Sequence, residues 1–374
     1  MTRSRRSPSR RRTGRLLFIA VAVLAGVFVI GAFVRVRHPA AAPSPAGVPP
    51  SRLRETHARR IGPVSLGPLP GALLIADRGN DRMLLVDAQH RVLWRFPTAA
   101  DLARGIHLNF NDDGFVEPGG RAIVSNEEEA HTIVSVNIRT HARTHLYGTP
   151  GVRGSGANEL NTPDDAYVLP DGTLTVADAY NCRVLFIRAH RIVRQIGTTG
   201  VCGHDPPRTL GAVNGDTPLP DGGVLVSEIQ GSWIDDFTRN GRLRWSVQAP
   251  VTYPSDPQLL PGGRILLADY ASPGAAVVID RRGRVVWRYG PASGWGALDH
   301  PSLALPLPNG DIAINDDFRD RVVIVDPRTN RIVWQYGHAN IPGTGFDRLK
   351  IPDGLDFVPL GAGGQPLWGE VHHP

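Results

Sequence analysis

From about residue 62 onward, short apolar runs alternate with polar turns, and the alternation repeats along the chain. The segments LPGALLIAD, EPGGRAIVSN, LPDGTLTVAD, LPDGGVLVSE, LPGGRILLAD and LPNGDIAIND begin at residues 69, 117, 169, 219, 260 and 307. Each opens on a tight turn, because Pro presets one backbone dihedral and the following Gly accepts the positive one. A β-rich run follows, then a polar turn, then a second run such as MLLVDA, VLFIRA, AVVIDR or VVIVDP. After another turn comes a third run: RVLWRF, RIVRQIG, RVVWRYG or RIVWQYG. With the run before each Pro-Gly turn, the unit holds four short strands. No stretch of this region carries a sustained helical period, so the pattern predicts an all-β domain.

A lone four-stranded antiparallel sheet exposes two apolar faces, so each copy must pack against its neighbours. A period of roughly 40–50 residues with four strands per unit is that of β-propeller blades. Leucine-rich repeats are shorter, and ankyrin or tetratricopeptide repeats need helices. Six full units precede residue 338, and IPDGLDFVPL near the C-terminus reads as one more first strand. The expectation is a six-bladed β-propeller over residues 62–374. Its last strand closes the blade begun near residue 69 and removes the exposed edges. A seventh blade, completed by residues 51–61, is the alternative.

The repeat is similar to a known one. Gly148-x-x-Gly151, Leu160-x-x-Pro163-Asp164, Leu169-Pro-Asp-Gly and Ala177-Asp178-x-x-Asn181-x-Arg183-Val184 together resemble the NHL repeat, and Gly337…Gly343…Leu349-x-x-Pro352-Asp353 repeats its opening part. The resemblance covers nearly all of residues 62–360 and weakens in the second and fourth units. Trp94, Trp245, Trp287 and Trp334, each near the end of a third run, also resemble the pattern of quinoprotein and arylsulfotransferase propellers. These families share an architecture and not a chemistry, so the resemblance implies the fold and leaves the function open.

Charge changes the picture at the N-terminus only. The formal charge is +6, but residues 1–37 carry nine arginines and no acid, which leaves the remainder at −3. The basic balance belongs to a tail, which argues against a nucleic-acid-binding domain. Within it, LLFIAVAVLAGVFVIGAFV is long enough to cross a hydrocarbon core of about 30 Å. More arginines precede this segment than follow it, so residues 1–15 are expected to stay cytoplasmic, 16–34 to anchor, and the propeller to be exported. A cleaved signal peptide, with Ala40-Ala41-Ala42 as its small residues, is the rival reading; its apolar region is normally shorter. Residues 35–61 are rich in Pro and Ala, as in an extended tether.

In a propeller, the loop entering each innermost strand and the turn between second and third strands open on one face. The first set contributes Asp112, Asp113, Asp164, Asp165, Asp216, Asp256 and Asp353, with Asn214, Ser255 and Ser302. Carboxylates gathered at a channel mouth raise one another's pKa or recruit a cation, for which Ca²⁺ and, as ligands, Asp165 and Asp353 are the candidates. The second set is Asp77, Asn126, Asp178, Glu228, Asp269 and Asp316. Asp77 with Arg82, Asp178 with Arg183 and Asp316 with Arg321 share a spacing of five across a turn, which suits turn pins rather than chemistry.

The peptidylglycine-lyase relatives of NHL propellers hold a metal by His, and arylsulfotransferases use a catalytic His. Here His107 and His300 enter innermost strands, and His204 and His338 lie further back, but no two fall at metal-ligand spacing. The nucleophile elbow and the P-loop are absent, and GVRGSG at 151–156 is a glycine-rich loop of the repeat. Cys182 and Cys202, the only cysteines, map to the binding face; export predicts a disulfide between them. Loops 197–217 and 289–302, with Trp295 and His300, and Trp233 from a neighbouring turn, offer aromatic area for a sugar, peptide or protein. The sequence therefore predicts a membrane-anchored, extracytoplasmic binding module. A metal-dependent lyase, lactonase or sulfotransferase is the alternative.

Overall fold

In a computed structural model of the chain, residues 67–371 are described. The expected basic tail, the apolar segment 16–34 and the linker to residue 61 lie outside the described residues, within which no helix is long and apolar enough to cross a membrane.

The described residues form six four-stranded antiparallel sheets. Blade 1 pairs Ala72–Asp77, Arg82–Asp87 and Val92–Phe96 with the C-terminal strand Pro352–Val358. Blades 2 to 6 follow in chain order. Their innermost strands are Phe115–Val116, Pro163–Val168, Val213–Pro218, Pro254–Leu260 and Ala304–Pro306. The C-terminal strand closes the ring as expected, with Leu73 opposite Phe357 and Ile75 opposite Leu355. The ring therefore closes at six blades and not at seven.

The two-residue period decides the packing. In blade 1, Leu73 and Ile75 share a buried cluster with Ala313, Val322 and Ile324 of blade 6. Their alternates Ala72 and Leu74 join Ile123, Val134 and Val136 of blade 2. Successive side chains thus point to opposite neighbours. The LPDG turns form as read: Gly172 (φ 79°) and Gly222 (φ 80°) each donate an N–H to the Leu carbonyl three residues back, at 2.8 Å. The one α-helix among the described residues, Ala99–Ala103, is a single turn capped by Thr98 and Asp101 and too short to carry a helical period.

The expected turn pins are present. Arg82, Arg183 and Arg321 donate through Nε to Asp77, Asp178 and Asp316, at 2.5, 2.7 and 2.7 Å. One register assignment needs correction. Glu127, not Asn126, stands opposite Thr132 and so occupies the second-strand end of blade 2.

Cys182 and Cys202 are disulfide-bonded with Cα atoms 5.3 Å apart, so the loop after blade 3 is tied to a turn of that blade. They are 20 residues apart in sequence, and closing a loop of about that length removes about 3 kcal/mol of unfolded-state entropy. The double variant Cys182→Ser, Cys202→Ser should lose about that much unfolding free energy in urea. A loss under about 1 kcal/mol would mean that residues 197–212 are ordered without the bond.

Candidate functional site

The loops and strand starts on one face of the ring surround a cavity of about 380 Å³ at the mouth of the channel. Asp112 and Asp113 precede the innermost strand of blade 2, whereas Asp164, Asp256 and Asp353 sit inside theirs, which begin at Pro163, Pro254 and Pro352. All five line the cavity, with Asn214, Ser255 and Ser302. Asp165 and Asp216 are completely buried and do not line it. They adjoin it, since the amide of Asp216 donates to Asp165 (3.2 Å) and both carboxylates act on Asp256 and one another. Trp233, Trp295 and His300 lie outside the lining.

Backbone carbonyls are bridged from blade to blade so that these carboxylates converge. Asn126 donates to the carbonyls of Pro163 (3.0 Å) and Asp164, and Asn315 to those of Pro352 (3.3 Å) and Asp353. Asn214 accepts from Ser255 Oγ (2.6 Å) and donates to Asp164. Gly354 permits the closest approach: a Cβ there would collide with Asp113.

Among the described residues, one cation lines the mouth. Arg78, from the turn Arg78–Asn80 of blade 1, pairs with Asp112, Glu128 and Asp353 (2.8 Å) and lies 4.4 Å from the ring centre of Phe110. Burial alone would lower its pKa, but Asp112, Asp353 and Glu128 more than reverse that, so it stays charged. Asp112, Asp353 and Glu128 are thus served. Across the cavity, Asp164 and Asp256 have no guanidinium, and Tyr180 and Tyr253 stand beside them.

Electrostatics follow from this imbalance. Burial, then mutual repulsion, pushes the carboxyls of Asp113, Asp164 and Asp165 well above the usual range. Burial and the charge of Asp353 push Asp256 up to about 8. Such groups accept a proton or a cation at low cost. Asp113 Oδ1 is buried without a hydrogen-bond partner.

Sequence reasoning missed Arg78, Glu128, Tyr180, Tyr253 and Tyr270 in the lining. A signal for three of them existed. The residue directly after the second-strand carboxylate turns toward the mouth, which selects Arg78, Glu128 and Tyr270, and also Asp317, which is buried against Ser302.

The other expected residues sit on the surrounding loops. His300 bonds Asp299 (2.6 Å) and packs edge-on against Tyr270 and Phe318. Trp295 is 59% exposed, and Phe346, which the sequence reading passed over, is 76% exposed. A larger cavity of about 580 Å³ is walled by the Pro-Gly turns at the other end of the strands. Its acids Asp171 and Asp221 are paired with Arg188 and Arg244, Asp171 also with Arg239, while Arg194 lies over the Phe186 ring.

No protein-family model matches the chain, and no curated protein matches it in sequence. Solved structures do match in shape. A Bacteroides caccae protein of unknown function is 17% identical at a TM-score of 0.53, over 76% of this chain and 98% of that one. The nidogen/laminin complex gives 11% identity and 0.53, over 76% and 97%. A catalytically inactive virginiamycin B lyase from Staphylococcus aureus, solved with quinupristin, gives 17% and 0.45, over 67% and 78%. At these identities the likeness is one of fold, and on its own strand order this chain is a six-bladed β-propeller.

Proposed function

We propose that this chain is an exported NHL-like propeller, anchored by residues 16–34, whose channel mouth binds a ligand through an ammonium or guanidinium group. One observation carries the reading. Among the described residues, Asp164 and Asp256 share the cavity with one cation, Arg78, and that cation is paired on the opposite wall with Asp112, Glu128 and Asp353. Arg78 itself supports the chemistry: a guanidinium already sits among three of these carboxylates and against an aromatic ring. Tyr180 and Tyr253 offer the Asp164–Asp256 wall similar aromatic company, and a ring face adds to the attraction of a carboxylate for an organic cation. Exposed Trp295 and Phe346 would extend the contact to a peptide, sugar or protein carrying that cation.

Calorimetry on the full chain in detergent, with agmatine and Ca²⁺ as separate probes, tests this. Agmatine is expected to bind at one equivalent, at least tenfold more weakly to Asp164→Asn, since a charge-assisted contact contributes about 1.5–3 kcal/mol. Binding should tighten between pH 6 and pH 8, because a cation favours the ionised form of carboxyls whose pKa is raised. Agmatine binding unchanged in Asp164→Asn, or Ca²⁺ alone binding there, would overturn the organic-cation reading. A C-terminal reporter that is active only outside the cytoplasm tests the export half separately.

A further inference from the structure

Blade 4 breaks a charge rule that the other five blades keep. In each blade a carboxylate ends the second strand, and in five an arginine meets it. Arg82, Arg183 and Arg321 come from directly across the turn; Arg143 (2.7 Å) and Arg288 (3.7 Å) reach Glu127 and Asp269 from the outermost strand. In blade 4 the carboxylate is Glu228, and the residue opposite it is Trp233. The outermost strand supplies no arginine either: Ser246 and Gln248 face that side, opposite Asp235 and Trp233.

The same blade adds a second acid. Asp235 lies two residues beyond Trp233, so it projects from the same face of the sheet as Glu228. The corresponding positions in blades 1, 3 and 6 are Leu84, Leu185 and Val323, all core residues. Glu228 and Asp235 are completely buried; Asp235 stands against Glu228 and the Ser246 hydroxyl, and neither of its oxygens makes a hydrogen bond of good geometry. Its neighbour Asp236, on the other face, is by contrast paired with Arg244 (2.7 Å) and Arg281 (3.4 Å). An arginine and an apolar side chain have thus been exchanged for a tryptophan and an aspartate, leaving two buried acids and no guanidinium.

What fills the gap is His204. Its Nδ1 lies 3.1 Å from Glu228 Oε1, and its ring stacks flat on Trp233 with centroids 3.8 Å apart. It stands two residues after Cys202, so the disulfide to Cys182 fixes the loop that presents it. One donor atom each from His204, Glu228 and Asp235 lie within 4.8 Å of one another, and the 3.1 Å between His204 Nδ1 and Glu228 Oε1 is near the roughly 3.3 Å that separates donors held about 2.0 Å from a tetrahedral ion. The His204 side chain is 21% exposed, which leaves water a route to the remaining coordination positions.

We propose that His204, Glu228 and Asp235 form a binding site for one first-row divalent metal ion, with Zn²⁺ as the best match. One imidazole and two carboxylates complete a three-ligand set open to water. The imidazole selects Zn²⁺ or a similar transition ion over Ca²⁺ and Mg²⁺, which take all-oxygen ligands. The site is on the rim of blade 4 and is independent of ligand binding at the channel mouth.

The test uses the metal-depleted full chain in detergent, titrated with Zn²⁺ and with Ca²⁺, and compares wild type with His204→Ala and Asp235→Asn. His204→Ala changes a loop residue, and Asp235→Asn keeps shape while removing charge, so both should fold; circular dichroism checks this. The expected result is one Zn²⁺ equivalent in wild type that is absent in His204→Ala and at least tenfold weaker in Asp235→Asn. Tryptophan emission should change on binding in wild type, because Trp233 lies against the ligand ring. Excess Ca²⁺ should not displace the metal. Full Zn²⁺ stoichiometry in His204→Ala, or no Zn²⁺ bound by wild type, would overturn the site; in the second case His204 would serve only as a hydrogen-bond partner of Glu228.

Discussion

Replacing Arg78 by Met should cost about 3–5 kcal/mol of unfolding free energy at pH 7.5, the usual penalty for leaving buried carboxylates without their partner. Arg78 touches Asp112, Glu128 and Asp353, and its charge also lowers the pKa of Asp113, Asp164 and Asp317. Without it, the seven acids that line the cavity face one another with no cation among the described lining residues. A methionine fills a similar volume and keeps contact with Phe110, so the loss reports charge rather than packing. The pH dependence gives the distinguishing sign. A carboxyl whose pKa is raised in the folded state holds its proton more tightly there than in the unfolded chain. Its contribution to stability is complete below the ordinary carboxyl value and is lost as pH rises through the raised one. Removing Arg78 raises these values further, so the deficit of the variant should be largest near pH 7.5 and shrink toward pH 5. His131 and His204, whose pKa values burial lowers, oppose stability on acidification. They are unchanged by the substitution and cancel in the difference. Urea unfolding of both proteins at pH 7.5 and pH 5 reads the result. An equal deficit at the two pH values would mean that Arg78 acts by shape and not by charge.

The fold was legible because its determinants are local. A Pro-Gly turn every forty to fifty residues and three apolar runs behind it specify a blade, and the blade cannot stand alone. The closing strand could be read from IPDGLDFVPL because a seventh first strand with no following hairpin has only one partner, the unclosed edge at Ala72–Asp77. The mouth was half legible. Its aspartates follow from their place before or at the innermost strands, which every blade shares. The place of Arg78 and Tyr270 follows from the repeat, as the residue directly after the second-strand carboxylate, but their chemistry does not, since that position carries a different residue in each blade. The trio in blade 4 was hidden for a different reason. His204 is separated from Glu228 and Asp235 by an entire innermost strand, and no spacing rule for metal ligands covers that distance. What could have exposed it is a comparison between copies, because the second-strand carboxylates Asp77, Asp178 and Asp316 have Arg five residues on and Glu228 has Trp233.

The arginines of that rule should be as consequential as Arg78, and Arg321 most of all. Arg321 and Asp316 are both completely buried. Its Nε donates to Asp316 (2.7 Å), one terminal nitrogen to Gln335 (3.0 Å), and the other to the carbonyls of Trp295 (2.9 Å) and Ala297 (3.0 Å). The arginine is therefore more than a turn pin: it clamps the loop entering its blade. Arg82 does the same in blade 1, through the carbonyls of Thr344 and Arg348. Arg321→Met should lose about 3–5 kcal/mol, because Asp316 is left charged in an apolar setting that raises its pKa even now to about 6. Adding Asp316→Asn should recover more than half of the loss, since it removes the orphaned charge while the amide oxygen still accepts the N–H of Asp299 (2.6 Å). What the double variant does not recover measures the clamp on the loop carbonyls, and increased protease cleavage at residues 291–299 should accompany it. If the double variant is no more stable than Arg321→Met, the carboxylate is not the source of the cost. Lysine at this position tests the geometry from the other side: it keeps the charge but cannot reach Asp316, Gln335 and two carbonyls at once, so Arg321→Lys should fall between wild type and Met. The arginine would then have been retained in blade after blade for its several donors in one plane, and blade 4, which gave it up, could do so only where another cation takes its place.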